Sequence, residues 1–406
     1  MRRRTLLTST GAAASTVLVS RGMPGPLPRW AHTWTAMPQL TEPHNMPPAP
    51  FAALTDTTVR QTIRITAGGR KLRVRFSNAF GGADMPITAA AVALPVDGRA
   101  GVSAIRPGST RPLTFGGRPS VVIPVGAQIV SDPVDLPLLA GANLTISLYS
   151  APGIASTALT SHPGSRTTSW LVNGDQHGAA DLTGAVSADH WYLISGVEVL
   201  AAVSGLVLVG DSLTDGRGST TNGNDRWPDQ LFARLRDPDL AILNQAAGGN
   251  RVLRDGLGPN ALARLDRDVL ALSGARTLLI FEGVNDIGVA PATDSDQHQV
   301  VADLIGAYRQ IVMRAQACAL RVLGATVTPF GGNIYDDVEG LRERSRQAVN
   351  AAIRAGLFDG VVDFDAAVRD PAAPRQLAAA YDVGDHLHLN PAGYGALAAA
   401  VPRRLL

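Results

Sequence analysis

The carboxyl-terminal half of the chain alternates short apolar runs with amphipathic segments. The runs have the length of buried strands, and the segments between them repeat apolar residues at the spacing of a helix face. This alternation predicts a parallel sheet covered by helices on both faces, with right-handed crossovers. Strands are predicted at 206–209, 241–243, 277–281, 321–326 and 361–364, and helices at 228–236, 261–272, 300–319, 338–355 and 391–405.

The pattern between about residue 51 and residue 203 is different. Short segments alternate apolar and polar residues, and glycine, proline and aspartate separate them, as in antiparallel sheets. No long helical pattern occurs, so this half is predicted to be an all-β, sandwich-like domain. The turn residues Ala67-Gly68-Gly69 predict a hairpin between 59–65 and 72–76. Further strands are predicted at 89–94, 120–123, 143–149 and 191–200.

The first residues of the chain have the pattern of an export signal. Three arginines follow Met1, and a mildly apolar, small-residue stretch runs to Ser20, which is too short and too polar to span a bilayer. Paired arginines at this position resemble the twin-arginine type of signal. We therefore divide the chain into a leader at 1–30, a β-domain at 31–203 and a catalytic domain at 204–406, and we expect secretion. A disordered basic tail is the alternative interpretation.

Composition excludes several kinds of partner. Hydrophobic residues make up 45% of the chain and charged residues 17%, as in soluble globular proteins. The 36 basic and 34 acidic residues nearly balance, so no nucleic-acid partner is expected, and no apolar stretch indicates stable membrane insertion. Cys318 is the only cysteine, which excludes an intramolecular disulfide, and its helical surroundings predict a buried thiol.

Candidate chemistry begins at Gly210-Asp211-Ser212, directly after the predicted strand 206–209. A serine at the carboxyl end of a parallel strand lies where α/β sheets form their active sites. Three further blocks follow in order, at 244–249, 283–286 and 385–388. Acyl transfer needs an activated nucleophile, a base, and donors for the oxyanion of the tetrahedral intermediate, and these blocks contain residues of each kind.

The predicted catalytic residues are Ser212, His388 and Asp385. Ser212 supplies the hydroxyl nucleophile, and His388 is the base because its ordinary pKa lies near neutral pH. Asp385, three residues earlier, orients the imidazole and stabilises the imidazolium. The predicted oxyanion donors are the backbone N–H groups of Ser212 and Gly249 and the side-chain amide of Asn285. We also expect Asp286 to cap the helix that follows Asn285.

The four blocks, GDSLTDG at 210–216, Gly249, GVND at 283–286 and DHLH at 385–388, resemble those of the SGNH (GDSL-type) hydrolases. The resemblance covers about residues 204–406 and implies a flavodoxin-like three-layer α/β/α fold with a five-stranded parallel sheet. It also implies ester hydrolysis without a metal or another cofactor, and it gives the same residues the same roles. The whole chain resembles the long secreted bacterial branch of the family, which is similar to xylan-cluster acylesterases.

Two positions depart from the family pattern. Leu389 stands where many members have proline after the histidine, and Ala246 stands where the second block commonly has glycine. Neither position carries a reacting group, so we expect little effect on the chemistry. His386 and His388 form a His-x-His pair, but no partner set with the spacing of a zinc site accompanies them, and no bound metal is predicted.

The sequence therefore predicts a secreted serine esterase that hydrolyses short acyl esters, favouring acetyl, on a carbohydrate through an acyl-enzyme. Its expected partner is a small-molecule or polysaccharide ester. A lipase or lysophospholipase with the same triad is one alternative. A non-catalytic carbohydrate-binding protein is another, and a glycoside hydrolase using Asp211 and Asp385 is the third, since glycosidases generally use two carboxylates.

Overall fold

The computed structural model describes residues 27–406. The predicted leader lies outside the described residues apart from its last four, of which Arg29 and Trp30 open the first strand.

The amino-terminal domain consists of short strands joined by turns and single-turn 3-10 helices. Its strands, in chain order, are β1 (Arg29–Thr35), β2 (Gln39–Leu40), β3 (Thr57–Arg64), β4 (Gly69–Ser77), β5 (Met85–Ile87), β6 (Ala89–Ala93), β7 (Arg111–Pro112), β8 (Val121–Ile123), β9 (Gln128–Val130), β10 (Val134–Leu138), β11 (Asn143–Ser150), β12 (Thr160–His162), β13 (Ser169–Asn173), β14 (Val186–Ala188), β15 (Trp191–Tyr192) and β16 (Ile194–Ala201).

Two antiparallel sheets make up most of this domain. One has the strand order β1-β16-β4-β10, with β9 also paired to β4, and the other has the order β14-β13-β3-β11-β6-β7. Apolar residues of β4, such as Val74 and Phe76, share one buried core with Val59 and Ile63 of β3 in the other sheet. The domain is therefore sandwich-like, with smaller sheets β15-β12-β2 and β5-β8 at its margins.

The predicted hairpin between 59–65 and 72–76 is wrong. β3 pairs with β11 and β13, whereas β4 pairs with β16, β10 and β9, so the two strands lie in different sheets. Thr33 holds the connection between them, because its hydroxyl both accepts the N–H of Ala67 and donates to the Ala67 carbonyl, each at 2.7 Å. Alternation and turn residues predicted two strands here, but they do not specify which strand pairs with which.

The carboxyl-terminal domain is built on one parallel sheet with the strand order β18-β17-β19-β20-β21. With the strands numbered within this domain, the order is 2-1-3-4-5, which is the flavodoxin-like arrangement. The residues of β17 from Gly205 to Gly210 are all buried because helices cover both faces. The elements in chain order are β17 (Ser204–Gly210), α1 (Ser212–Asp215), α2 (Trp227–Leu235), β18 (Leu240–Asn244), α3 (Ala261–Leu265), β19 (Ala275–Phe281), α4 (Val284–Val289), α5 (Asp294–Ala317), β20 (Arg321–Ala325), α6 (Leu341–Ala352), β21 (Gly360–Val362), α7 (Phe364–Val368) and α8 (Pro391–Ala400).

The helices form two layers. α8 packs against α2 and α7, whereas α5 packs against α6, α4 and α3, as right-handed crossovers of a 2-1-3-4-5 sheet require. Each predicted strand and long helix is present, with shifted ends; α3 and α6 each continue into a single π-helical turn. The short helices α1 and α7 were not predicted, because four or five residues are too few to show a helical period, and α4 was expected only as a helix after Asn285.

The prediction that Cys318 is buried is wrong. α5 ends at Ala317, and Cys318 lies exposed in the turn that follows it. The predicted helix ran to residue 319 and therefore counted Cys318 as part of the helix. Ala315 is the last fully buried residue of α5, so the buried face ends one turn before the thiol.

The β-domain covers an edge of the catalytic sheet. β18 is the outermost strand, and β1 packs beside it. The Thr66 hydroxyl accepts the Ile242 N–H at 2.9 Å and lies 3.2 Å from the Ile242 carbonyl, while the Thr35 hydroxyl donates to the Asn244 carbonyl at 3.0 Å. These side chains satisfy backbone groups that an edge strand otherwise exposes to solvent or to another chain. The two domains are thus joined by hydrogen bonds as well as by the short connection from β16 to β17.

Candidate active site

Ser212 is the first residue of α1, immediately beyond the carboxyl end of β17. Asp211 caps this helix, because its carboxylate accepts the Leu213 N–H at 2.9 Å. Gly210 is required at the turn, since a Cβ there would overlap the Thr214 side chain. The sequence Gly-Asp-Ser therefore turns the chain sharply and fixes the serine at the edge of the sheet where the strands end.

A continuous chain of hydrogen bonds joins Ser212, His388 and Asp385. The Ser212 Oγ lies 2.8 Å from His388 Nε2, and His388 Nδ1 lies 2.6 Å from Asp385 Oδ2. Because Nδ1 faces a carboxylate, it carries the ring hydrogen and Nε2 is left to accept the serine proton. The other oxygen of Asp385 accepts the N–H groups of Leu387 and His388, at 3.1 and 2.8 Å, so a tight turn holds acid and base together.

The surroundings of His388 favour its neutral form. Burial lowers the pKa of His388 below its ordinary value; Asp385 acts in the opposite direction, and the guanidinium groups of Arg217 and Arg166 lower it further. Burial acts to raise the pKa of Asp385, but the hydrogen bonds from His388 and Leu387 outweigh it and leave that pKa below its ordinary value. The pair is thus a neutral imidazole beside a carboxylate at neutral pH, as a general base requires.

The loop after β18 carries Gly249 in a conformation that suits glycine. Its φ is +68°, and a Cβ there would lie 2.7 Å from a methyl carbon of Leu257. Within residues 27–406, the backbone N–H groups of Gly249 and Ser212 donate to no other protein group. Both N–H groups are therefore available to a ligand, as oxyanion donors must be.

Asn285 is held in a fixed orientation next to this loop. Its Nδ2 donates to the Asn250 carbonyl at 2.9 Å, and its Oδ1 accepts the Tyr335 hydroxyl at 2.9 Å. One Nδ2 hydrogen is used in this way and the second is available to a substrate. Sequence reasoning missed Tyr335, which lies in an irregular segment before α6 with no motif around it.

The prediction that Asp286 caps α4 is wrong. Gly283 occupies the capping position, and no side chain caps the helix. The Asp286 carboxylate instead accepts the N–H groups of Val252 and Leu253, each at 2.9 Å. It therefore ties the segment that follows Gly249 to the block that contains Asn285, so two candidate oxyanion donors are held in one hydrogen-bonded unit.

Arg264 of α3 supports the same loop from within the protein. Its buried guanidinium donates to the Gln245 carbonyl at 2.6 Å and to Asn250 Oδ1 at 3.1 and 2.8 Å. It also lies 3.8 Å from the carboxylate of Glu282. Gln245 and Asn250 flank the turn that contains Gly249, so one cation holds both ends of the turn.

Three buried carboxyl groups, those of Asp211, Glu282 and Asp286, lie close to one another beside Ser212. Burial raises the pKa of each, to about 7 for Asp211. Neighbouring carboxylates raise the pKa of Asp211 and Glu282 further. Asp211 is also almost inaccessible, at 1% exposure, so it cannot reach a substrate as a second catalytic acid.

The β-domain contributes a histidine that the sequence did not indicate. His162, at the end of β12, places Nε2 2.8 Å from Asp215 Oδ1 and Nδ1 3.0 Å from the Met37 carbonyl. The other oxygen of Asp215 accepts the Gly248 N–H at 3.0 Å, one residue before Gly249. A hydrogen-bonded path thus runs from the β-domain through Asp215 of α1 to the loop of Gly249.

A cavity of about 290 Å³ lies between the two domains beside this path. We call it the interdomain cavity. Its lining residues are Gln39, Glu42, His44, Asn45, His162, Pro163, Gly164, Arg166, His190, Asp215, Arg217, Ala247, Gly248 and Leu257. Neither the interdomain cavity nor a larger cavity of about 520 Å³ that includes Asp286 and Arg251 is lined by Ser212, His388 or Asp385. The interdomain cavity, which contacts the loop of Gly249 directly, is the better candidate for substrate.

His386 does not join the triad. Its Nδ1 lies 2.7 Å from Asp382 Oδ2, and its side chain is half exposed. Within residues 27–406, no group of three or more His, Cys, Asp and Glu side chains is arranged to hold a metal ion. Over the same residues, no helix combines the length and apolar character needed to cross a bilayer.

Residues 208–396 match the family described as GDSL-like Lipase/Acylhydrolase. Solved structures with a similar fold include Est24, a carbohydrate acetylesterase from Sinorhizobium meliloti, at 17% identity and a TM-score of 0.38, covering 48% of this chain and 95% of that one. The acetyl xylan esterase AlAXEase is 18% identical, with a TM-score of 0.36 and coverage of 48% and 96%. A GDSL-like lipase from Bacteroides thetaiotaomicron is 18% identical, with a TM-score of 0.35 and coverage of 50% and 87%. No curated protein matches the chain.

Proposed function

We propose that the chain is a serine esterase with Ser212, His388 and Asp385 as its triad. The match of residues 208–396 to the GDSL-like Lipase/Acylhydrolase family supports a carboxylic ester hydrolase. The observation that carries the proposal is the hydrogen-bonded chain from Ser212 Oγ through His388 to Asp385, at 2.8 and 2.6 Å. These separations lie within the range that proton transfer between nucleophile and base requires.

The proposed reaction has two halves. Ser212 Oγ attacks the ester carbonyl carbon while its proton passes to His388 Nε2, and the carbonyl oxygen becomes an oxyanion. The N–H groups of Ser212 and Gly249 and the Asn285 amide stabilise that oxyanion. When the intermediate collapses, the bond to the alcohol oxygen breaks and His388 returns the proton to the departing alcohol. Water, deprotonated by His388, then attacks the acyl-enzyme, and collapse releases the carboxylic acid and restores Ser212.

We propose a short acyl ester of a carbohydrate as the substrate. The interdomain cavity is lined mostly by polar side chains, among them Gln39, Asn45 and His190, which suit the hydroxyl groups of a sugar. A long acyl chain would need an extended apolar lining, so a lipase activity is less well supported. A glycoside hydrolase is not favoured, because Asp211 is buried and hydrogen-bonded to Leu213 and so cannot flank a scissile bond together with Asp385.

The direct test compares initial rates of the wild type and Ser212→Ala on nitrophenyl esters from acetate to palmitate and on acetylated xylan. Ser187→Ala, at an exposed position in β14, is the matched control. We expect rapid cleavage of acetate and release of acetate from xylan by the wild type and by the control, with activity lost in Ser212→Ala. Preferential cleavage of palmitate would instead support a lipase. Polysaccharide binding without any turnover would support a carbohydrate-binding protein.

Secretion remains part of the proposal. The support is the sequence of three arginines after Met1, followed by a mildly apolar stretch. Replacement of Arg3 and Arg4, the pair directly before Thr5, by lysine should prevent export if the signal is of the twin-arginine type, while a fused general export signal should restore it. Export that is unaffected by the two replacements would contradict this route.

A further inference from the structure

The interdomain cavity is built from both domains. The loop that follows β12, with Pro163, Gly164 and Arg166, forms one wall, and the segment 215–217 together with Ala247 and Gly248 forms the other. The two walls approach closely, because a Cβ on Gly164 would overlap the Asp215 carboxylate. Since Gly248 immediately precedes Gly249, a molecule in this cavity lies beside the loop that is proposed to hold the oxyanion.

The interdomain cavity is lined by two acidic side chains, Glu42 and Asp215, and by two arginines, Arg166 and Arg217, and over the described residues only the acidic ones have partners. Its two acidic side chains already have partners: Glu42 accepts hydrogen bonds from Gln39 and Asn45, and Asp215 pairs with His162 and Gly248. Within residues 27–406, neither Arg166 nor Arg217 has a carboxylate within 4.0 Å, which distinguishes them from the paired Arg226 and Arg264 nearby. The Arg166 Nε is buried and has no hydrogen-bond partner among the same residues. A buried donor without an acceptor destabilises the folded protein, and an anionic ligand in the cavity would supply the missing acceptor.

The backbone fixes Arg166 at this wall. Its φ is +50°, in the left-handed region that residues other than glycine rarely adopt. Hydrogen bonds hold the loop in this conformation: the Arg166 carbonyl accepts the Asn222 N–H at 2.9 Å, and the Ser165 hydroxyl donates to the Thr167 carbonyl at 2.7 Å. Asn222 belongs to the catalytic domain, so contacts between the domains set the direction in which the arginine leaves the backbone.

Both arginines lie near the catalytic base as well. The positive charges of Arg217 and Arg166 act on His388 and lower its pKa, together with burial and against the effect of Asp385. The Arg217 N–H also donates to the Ser212 carbonyl at 2.9 Å, so a binding site that includes this arginine lies beside the proposed nucleophile. The planar guanidinium matches a carboxylate or phosphate with two parallel hydrogen bonds, which makes arginine the usual ligand for such groups.

We propose that Arg166 and Arg217 form a subsite for the carboxylate of an acidic sugar, so that the enzyme prefers short acyl esters of uronic acid residues over esters of neutral sugars. This inference rests on the proposed function. A short acyl group such as acetyl carries no charge, so the carboxylate that binds the arginines must belong to the alcohol part of the ester. A uronate fits the subsite better than a lysophospholipid does, because the remaining lining of Gln39, Asn45 and His190 offers hydrogen bonds to hydroxyl groups.

The test uses two substrates that differ at one carbon, an acetyl ester of glucuronate and the same acetyl ester of glucose, with acetate release as the readout. We expect the wild type to favour the glucuronate ester in kcat/KM by about tenfold or more, as charge-assisted hydrogen bonds predict. This selectivity should fall towards one in Arg166→Gln and in Arg217→Gln, and it should weaken as salt is added. Arg118→Gln, an exposed arginine outside the cavity, is the matched control.

Two further measurements separate the possible results. The pH profile of kcat/KM should move to higher pH in both cavity variants, since each removes a charge that lowers the pKa of His388. Binding of glucuronate to Ser212→Ala, measured by calorimetry against glucose, tests the subsite without turnover. If the wild type binds glucuronate but does not hydrolyse its acetyl ester, the proposed subsite stands and the proposed esterase activity is refuted.

Three results would overturn the subsite. The first is equal rates on the two sugar esters, which would leave the esterase intact. The second is a selectivity for glucuronate that persists in both Arg166→Gln and Arg217→Gln. The third is a stronger preference for a lysophospholipid than for the glucuronate ester, which would assign the two arginines to a phosphate instead.

Discussion

His162 of the β-domain and Asp215 of the catalytic domain form a buried hydrogen-bonded pair, with Nε2 and Oδ1 2.8 Å apart. Both ring nitrogens of His162 face acceptors, since Nδ1 lies 3.0 Å from the Met37 carbonyl. Asp215 in turn accepts the Gly248 N–H at 3.0 Å. The position of the loop that contains Gly249 therefore depends on a side chain from the other domain.

Replacement of His162 should impair catalysis more than substrate binding. In His162→Ala, Asp215 loses its partner and Gly248 loses a fixed acceptor, so the Gly249 N–H is no longer held towards the oxyanion. Complete loss of such a donor lowers kcat by about 10²–10³-fold, and a displaced donor should lower kcat by about tenfold with little change in KM. Steady-state kinetics on nitrophenyl acetate measure both values. His177→Ala, at a partly buried site of the same domain outside the interdomain cavity, should behave like the wild type, and an unchanged kcat in His162→Ala would refute the dependence.

Asn285 and Tyr335 should have graded effects on the same step. Asn285→Ala removes a proposed oxyanion donor and should lower kcat by about 10²–10³-fold. Tyr335→Phe removes only the hydroxyl that holds Asn285 Oδ1, while the bond from Nδ2 to the Asn250 carbonyl remains, so a loss of about two- to tenfold is expected. Stopped-flow rates of acylation compare the two variants. Equal losses in both would show that Tyr335 acts in some other way than through Asn285.

The pH dependence of the reaction follows from the lowered pKa of His388. The base works when the imidazole is neutral, and proton binding inactivates it. Because burial holds the pKa of His388 below 6.5, the acid limb of kcat/KM should have its midpoint below pH 6.5 and the rate should be level at neutral pH. Rates between pH 4 and pH 9, with corrections for substrate stability, provide the measurement. A midpoint above 6.5 would contradict the effect of burial.

The sequence was sufficient to propose the residues around the nucleophile because their positions follow from local rules. Ser212 follows an apolar run, and loops after parallel strands converge at one edge of the sheet. Asp385 and His388 are three residues apart, so a single turn brings acid and base together. The structure brings Ser212, His388 and Asp385 into one hydrogen-bonded chain and, within residues 27–406, leaves the N–H of Gly249 without a protein acceptor.

Residues that act from another domain could not be predicted in the same way. His162 lies in a strand of three residues, and Arg166 follows it in a turn, so neither shows a period or a motif. Their roles depend on which β-domain loop lies against the segment 215–217, and long-range packing decides that. The mispredicted hairpin at Ala67 has the same cause, because turn residues do not specify the partner of each strand.

Thr66 should contribute measurably to stability through the junction of the domains. Thr66→Val keeps the shape of the side chain but leaves the buried Ile242 N–H without an acceptor and removes the hydrogen bond from the hydroxyl to the Thr33 carbonyl. A buried unsatisfied group costs about 1–3 kcal/mol, so the free energy of unfolding should fall by about that amount. Urea denaturation followed by fluorescence measures it, with Thr183→Val, at an exposed turn, as the control. An unchanged free energy of unfolding would show that the hydrogen bond between Thr66 and the edge strand β18 does not stabilise the protein.

Asp211 makes the stability of the protein depend on pH. Its pKa is raised from 3.8 when unfolded to about 7 in the fold, so the folded state binds the proton more tightly. The stabilisation is fully present below pH 4 and is lost as the pH rises through 7, where the buried carboxyl must ionise. Asp211→Asn keeps an oxygen that can accept the Leu213 N–H but cannot ionise, so the variant should gain stability relative to the wild type as the pH increases from 4 to 8. Thermal unfolding across this range compares the two proteins. A constant difference in Tm would show that the Asp211 carboxyl is not held protonated by burial.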